Sequence, residues 1–227
     1  MIRPSRLWSP LIVIAFLCTP CGVRADLASL SKHSVTGGAA FAKSAHETIR
    51  MKSEEVRIRL EKLSFTVEAV FNFFNSGENT TEWVGFPKLT YGSESTTDAW
   101  RDFVQFHAWV DDKPSTFTNE DNRWMAREVT FPGKAKTTIR VMYEAEYMIY
   151  WGHYAEYIIG TGASWKGSIG KAVLIIDCSA TGGSENLTAR LVHGKARRTV
   201  TENTVRLDLS DFEPKPDEKL YITVDTK

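Results

Sequence analysis

The chain has 227 residues, with 28 basic and 28 acidic side chains. Its first 25 residues hold Arg3, Arg6 and Arg24 but no acid, so residues 26–227 carry 25 basic against 28 acidic groups, a net charge of −3. That balance argues against nucleic acid or anionic membrane surfaces as partners, and about 200 residues can bury a core without help from a disulfide, metal or cofactor.

The chain opens with Arg3 and Arg6, continues through the apolar run Leu11 to Cys18, and reaches the small residues around Ala25. This order is expected of a secretory signal peptide, residues 1–25, cleaved after Ala25. The apolar run falls short of the roughly 20 residues that cross a bilayer, so no transmembrane span is expected after cleavage. The expected location is exported, periplasmic or extracellular. Cleavage removes Cys18 and Cys21, and the remaining Cys178 shares a strand face with Leu174 and Ile176, so it reads as a small buried apolar residue.

Residues 26–45 are small, polar and aperiodic, which predicts a flexible lead-in. From His46 onward the chain alternates. Val56, Ile58 and Leu60 oppose Arg57, Arg59 and Glu61, and Phe65, Val67, Ala69, Phe71 and Phe73 share one face, so both segments read as strands. Asn75 to Thr80 is turn-forming. The segment Trp109 to Thr116 joins the alternating Val104, Phe106, Ala108 and Val110 to a short run ending near Phe117, as a hairpin. The segment "TDAWRDFVQF" permits one helical turn at most. Phe131 to Lys136 is a further break, followed by Ile139, Val141, Tyr143, Ala145 and Tyr147 alternating with polar partners. Four more short strands, "AVLIID", "NLTARLV", "TVRLDL" and "LYITV", complete the pattern. The expected fold is all-β, an antiparallel β-sandwich forming a single elaborated domain over residues 46–227.

Glu146 to Lys171 concentrates tyrosine, tryptophan and glycine. A phosphate loop does not fit, because Gly162 and Gly167 have the right spacing but Ser168 stands where the lysine belongs, and no helix follows. The glycines suit a bulge, a close backbone approach or positive φ. The tyrosines can pave a sheet surface with their hydroxyls reaching water. Aromatics at a turn can also bind sugars or peptides, so Trp151, Tyr154, Trp165 and Lys166 are the candidate ligand-binding residues, with Trp83 and Trp124 near other turns.

Other chemistries leave weaker traces. His33, His46, His107, His153 and His193 show no metal-binding spacing. Asp111 with Asp112, and Glu120 with Asp121, belong to turns that at most hold calcium weakly. Glu144 and Glu146 project from one strand face, as a hydrolase would require, yet basic neighbours make a solvated charge row the simpler reading. No nucleophile motif is present. Asn79 and Asn186 sit in glycosylation sequons that matter only in a eukaryotic host.

The segments "FNFFNSGENTTEWVGFP" and "YIIGTGASWKGSIGKAVLIID" resemble a family of exported bacterial proteins of unknown function, the more specific match being Thr161, Gly162, Trp165, Gly167, Ile169 and Gly170. The resemblance implies an envelope or secreted β-rich protein with no assigned activity, and it carries over no catalytic residue. The expected function is therefore a non-catalytic exported β-sandwich that acts through binding or structural contacts in the envelope with a protein or glycan. A carbohydrate- or peptide-binding module is the first alternative and an exported hydrolase the second.

Overall fold

The computed structural model describes residues 37–43, 46–88, 103–120, 124–149 and 152–225, all within one compact unit, Ser31–Lys227. In chain order the strands are β1 (Phe41–Ala42), β2 (Ile49–Leu60), β3 (Ser64–Asn75), β4 (Thr80–Pro87), β5 (Gln105–Val110), β6 (Lys113–Pro114), β7 (Thr118–Glu120) and β8 (Trp124–Phe131). They continue as β9 (Lys136–Glu146), β10 (Met148–Ile149), β11 (His153–Ile158), β12 (Ile169–Asp177), β13 (Leu187–Leu191), β14 (Arg197–Val200), β15 (Thr204–Phe212) and β16 (Lys219–Val224). Apart from three short 3-10 turns the described residues contain no helix, so the fold is all-β.

The strands form an eight-stranded sheet, in the order β14-β15-β12-β2-β3-β9-β5-β6, and two four-stranded sheets, β1-β4-β8-β7 and β10-β11-β16-β13. Pairing is antiparallel except between β2 and β12, which run parallel. Both small sheets face the same side of the large one. Phe71 of β3 packs on Phe86 of β4 with ring centroids 5.6 Å apart, while Glu54, directly opposite Phe71 in the register, is hydrogen-bonded to Tyr157 of β11. The result is a two-layer sandwich.

Period-two alternation accounts for the large sheet. In β2 the buried Val56, Ile58 and Leu60 alternate with exposed Arg57 and Arg59, and in β9 the buried Ile139, Val141, Tyr143 and Ala145 alternate with more polar neighbours. The β5–β6 hairpin turns at Asp111 and Asp112, both at positive φ, which suits the right-handed twist of the flanking strands. Cys178 is fully buried and free.

Two expectations need correction. Tyr143, Tyr147 and Tyr157 do not pave a wet surface; each is about 1% exposed and belongs to the core. Moreover, the end of the expected lead-in is packed, since Ala39, Ala40 and Ala42 are fully buried. Residues 26–36, the candidate helical turn before Phe103 and Trp151 lie outside the described residues.

The packed segment is a strap, residues 37–42, that joins the two small sheets. Gly38 bridges to Ile158 at the end of β11, whereas Phe41 and Ala42 pair with Gly85 and Val84 of β4. Its composition follows from the space it occupies. Gly37 lies against the Tyr143 ring at φ +106, and a Cβ at Gly38 would stand 2.5 Å from the Ile158 carbonyl oxygen. The 3-10 turn Gly160–Ser164 and the residue after it hold the strap in place. Thr161 Oγ1 donates to the Ala39 carbonyl at 2.6 Å, the Ala42 N–H donates to Ser164 Oγ at 2.8 Å, and Trp165 Nε1 donates to the Ala40 carbonyl at 2.7 Å.

Trp165→Phe keeps an aromatic ring, smaller than the indole, but leaves the buried Ala40 carbonyl without its donor. The expected loss is about 1–3 kcal/mol of folding stability, seen as a lower urea midpoint with an unchanged slope. A midpoint equal to wild type contradicts the strap's dependence on that bond.

Candidate functional site

The outward face of the small sheet β1-β4-β8-β7 carries an aromatic platform. Register places Trp83 opposite Glu128, Gly85 opposite Ala126 and Pro87 opposite Trp124, and Phe41 of the strap opposite Gly85. Gly85 and Ala126 form a low floor on which the rings lie. A side chain at Gly85 would run into the Trp83 ring and stand 3.0 Å from Trp124 Cε3. Phe41 stacks on Trp124 with centroids 5.0 Å apart, Trp83 meets Trp124 edge-on at 5.8 Å, and Phe41 meets Trp83 edge-on at 6.2 Å. All three rings are partly exposed.

Polar groups frame this platform. Trp83 Nε1 donates to Glu120 Oε2 at 2.5 Å, which fixes the indole. Lys43 Nζ stands 6.0 Å from the centre of the Trp83 ring, within reach of a cation–π attraction. The exposed Glu128 lies across from Trp83, and beyond it Thr81 and Thr130 share a hydroxyl–hydroxyl hydrogen bond of 3.0 Å. Large, rigid rings edged by hydrogen-bonding groups make a surface that can grip a flat apolar face and read the polar groups around it.

A second polar cluster lies between the layers. Tyr157 of β11 donates its hydroxyl to Glu54 Oε1 of β2 at 2.7 Å. Glu54 Oε2 and the Tyr143 hydroxyl are buried without a hydrogen-bond partner among the described residues. Burial raises the Glu54 carboxyl to about 7, partly offset by the Tyr157 hydroxyl; burial, with the Glu54 charge second, pushes both tyrosines well above their ordinary value. At 1% exposure, Glu54 cannot meet a solute, so it acts as a latch between sheets.

The sequence-derived candidates do not converge. Trp151 lies outside the described residues. Trp165 is 2% exposed and packs against Phe73 and Phe131, so its ring is walled off from solvent. Tyr154 is half-buried on β11 opposite Thr223, and Lys166 is exposed beyond the 3-10 turn, its N–H donating to the Ile49 carbonyl. Glu144 accepts hydrogen bonds from Ser64 and Gln105 on the solvent face of the large sheet. That face is laced with ion pairs such as Arg140–Glu68 and Arg206–Asp208, which solvent screening keeps weak. Among the described residues no group of three His, Cys, Asp or Glu side chains is arranged to hold a metal, and no helix is long and apolar enough to cross a membrane.

Sequence reasoning noted Trp83 and Trp124 separately but missed Phe41, Gly85 and Glu120 as their companions. A glycine two residues after a tryptophan on one strand face was the available signal. The partner residues on β1, β7 and β8 come together only through strand register.

No protein-family description and no curated protein matches the chain. Solved structures do resemble it. A protein of Legionella pneumophila subsp. pneumophila str. Philadelphia 1, provisionally described as a nutrient binding protein, superposes with a TM-score of 0.63 at 21% identity, over 83% of this chain and 72% of that one. An M1 zinc metallopeptidase from Deinococcus radiodurans gives a TM-score of 0.44 at 6% identity, over 79% of this chain and 43% of that one. A two-domain M1 zinc metallopeptidase mutant bound to L-tryptophan gives the same score and identity, covering 79% and 44%. The Legionella likeness shows a shared fold.

The latch makes stability depend on pH in one direction. Because the folded Glu54 binds its proton more tightly than the unfolded side chain, the contribution is complete below pH 4.5 and is lost as pH rises from 4.5 to about 7. The loss is on the order of 3 kcal/mol. Glu54→Gln retains an acceptor for Tyr157 without the charge. Its stability relative to wild type is expected to grow between pH 5 and pH 8 in urea titrations; a constant difference contradicts a buried, titrating Glu54.

Proposed function

We propose that this protein is an exported, non-catalytic binding protein of the cell envelope, a member of the exported bacterial family it resembles, and that the platform of Phe41, Trp83 and Trp124 is its binding surface. The platform carries the reading. Partly exposed apolar rings gathered on one sheet face add little to the core, whose own aromatics include Phe71, Phe73, Phe86 and Tyr143, and such an aromatic patch on a folded domain marks a contact surface. Export rests on the signal-peptide pattern of residues 1–25, and the nutrient-binding description of the Legionella protein is compatible with a binding role here.

Two measurements test this. Mass spectrometry of the secreted or periplasmic protein is expected to find Asp26 at the amino terminus; retention of Met1 in the cytosol overturns export. Intrinsic tryptophan fluorescence, titrated with glycan and peptide fractions from the envelope, is expected to show a saturable change that Trp124→Ala reduces at least about tenfold while circular dichroism stays unchanged. A saturable change of the same affinity in Trp124→Ala moves binding away from the platform, and no change with any fraction removes it.

A further inference from the structure

Resting on the binding reading above, the structure assigns the platform a ligand class: we infer that it binds a neutral pyranose oligosaccharide. The argument is one of shape and of hydrogen-bond polarity. Phe41 and Trp124, stacked at an interplanar angle of 23°, together with the edge-on Trp83, are each partly exposed and form an apolar surface against which the C–H face of a sugar ring can pack. A sugar also carries a belt of hydroxyls, each a donor and an acceptor, which need polar groups at the rim.

The rim supplies acceptors. Glu120 receives the Trp83 indole N–H through Oε2, leaving Oε1 to accept from a hydroxyl, and the exposed Glu128 sits beside Trp83 in the register. The hydroxyl pair Thr81 and Thr130 extends that side. Hydrogen bonds from hydroxyls to carboxylates are the strong, charge-assisted kind.

The same inventory disfavours the other ligand classes. An extended, proline-rich peptide docks on aromatic grooves and presents backbone carbonyls, which need donors. Here the Trp83 indole N–H is already committed to Glu120, and the carboxylates of Glu120 and Glu128 can only accept when ionised, which leaves Lys43 and the threonine hydroxyls as the framing donors. A peptide adding as a strand would need a long free edge, and the two edge strands of the platform sheet, β1 and β7, have two and three residues. Among the described residues framing the rings, the acids Glu120 and Glu128 outnumber the base Lys43, which disfavours uronic acids and sulfated or phosphorylated sugars.

The test uses the full protein and calorimetric or fluorescence titration with maltohexaose, cellohexaose and chitohexaose as neutral probes, a galacturonic acid hexamer as the anionic probe, and a proline decamer as the peptide probe. At least one neutral hexamer is expected to bind saturably with a Kd at or below about 1 mM, and Trp124→Ala is expected to weaken it at least about tenfold. Glu128→Ala, an exposed change that leaves the rings in place, is expected to weaken it about threefold to tenfold through the lost acceptor without shifting the melting temperature. That second variant keeps the test sound if Trp124→Ala fails to fold. Binding of the proline decamer or the galacturonate hexamer alone overturns the neutral-sugar assignment while leaving a binding platform in place. Silence from all five probes, when envelope fractions still perturb the tryptophans, overturns the sugar assignment; silence from both removes the binding reading as well. Neutral-sugar binding that survives both substitutions overturns the assignment of this surface.

Discussion

The sandwich depends on how residues 37–42 close the seam between its two small sheets. Neither small sheet borders the other through a regular ladder, so without the strap the end of β11 and the edge of β4 would present unpaired backbone groups above the large sheet's apolar face, a costly arrangement in a buried place. The strap bridges to Ile158 at one end and to Gly85 and Val84 at the other. Its sequence is therefore constrained twice: small enough to slide past Tyr143 and Ile158, and hydrogen-bonded by Thr161, Ser164 and Trp165 along its length. This explains why a tract that looks like linker, glycine and alanine in a row, is among the most deeply buried parts of the chain.

The same strap completes the platform. Phe41 is its penultimate residue and stands opposite Gly85, so the stack on Trp124 exists only when the strap is seated. Site and seam are thus coupled through one short strand. Loosening the 3-10 turn at Gly160–Ser164 removes the bonds that hold Ala39 and Ala42 and frees Phe41 between them, whereas Trp124 makes none of the seam's hydrogen bonds. A glycine-rich stretch that resembles a ligand loop in sequence thereby acts on the platform from a distance, by holding the segment that carries one of its rings.

How much of this was legible in the residues depends on the range of the interaction. Period-two alternation is local, so the long strands of the large sheet, such as Ser64–Asn75 and Lys136–Glu146, stood out, as did the burial of Cys178. Whether a face points to solvent or to another sheet is not local. Tyr143, Tyr147 and Tyr157 alternate as a paving row would, but a second layer covers them. Trp165 followed the same logic in reverse: it sits in a turn, where aromatics are usually wet, yet its indole reaches inward to Ala40, 125 positions earlier in the chain. Phe41, Trp83 and Trp124 meet through β1, β4 and β8, and no spacing along the chain encodes that meeting. Short, fully exposed β14 escaped notice because Arg197–Val200 has no buried side to alternate with.

Glu54 shows why the seam tolerates a polar interior. A carboxyl between apolar layers is expensive when charged, and its neighbour across the gap, Tyr157, supplies one hydrogen bond where an ionised partner would be needed to balance the charge. The arrangement is economical only while the carboxyl keeps its proton, which burial favours to about 7. In exchange it fixes orientation: a hydrophobic pair could slide along the sheet, but a 2.7 Å bond between β2 and β11 allows one register of the small sheet over the large one. Tyr143, whose hydroxyl shares that pocket of polarity with Glu54, packs against Gly37 at the start of the strap. The latch, the seam and the first ring of the platform are in this way consecutive links of one chain of contacts, running from the middle of the large sheet to the outer surface.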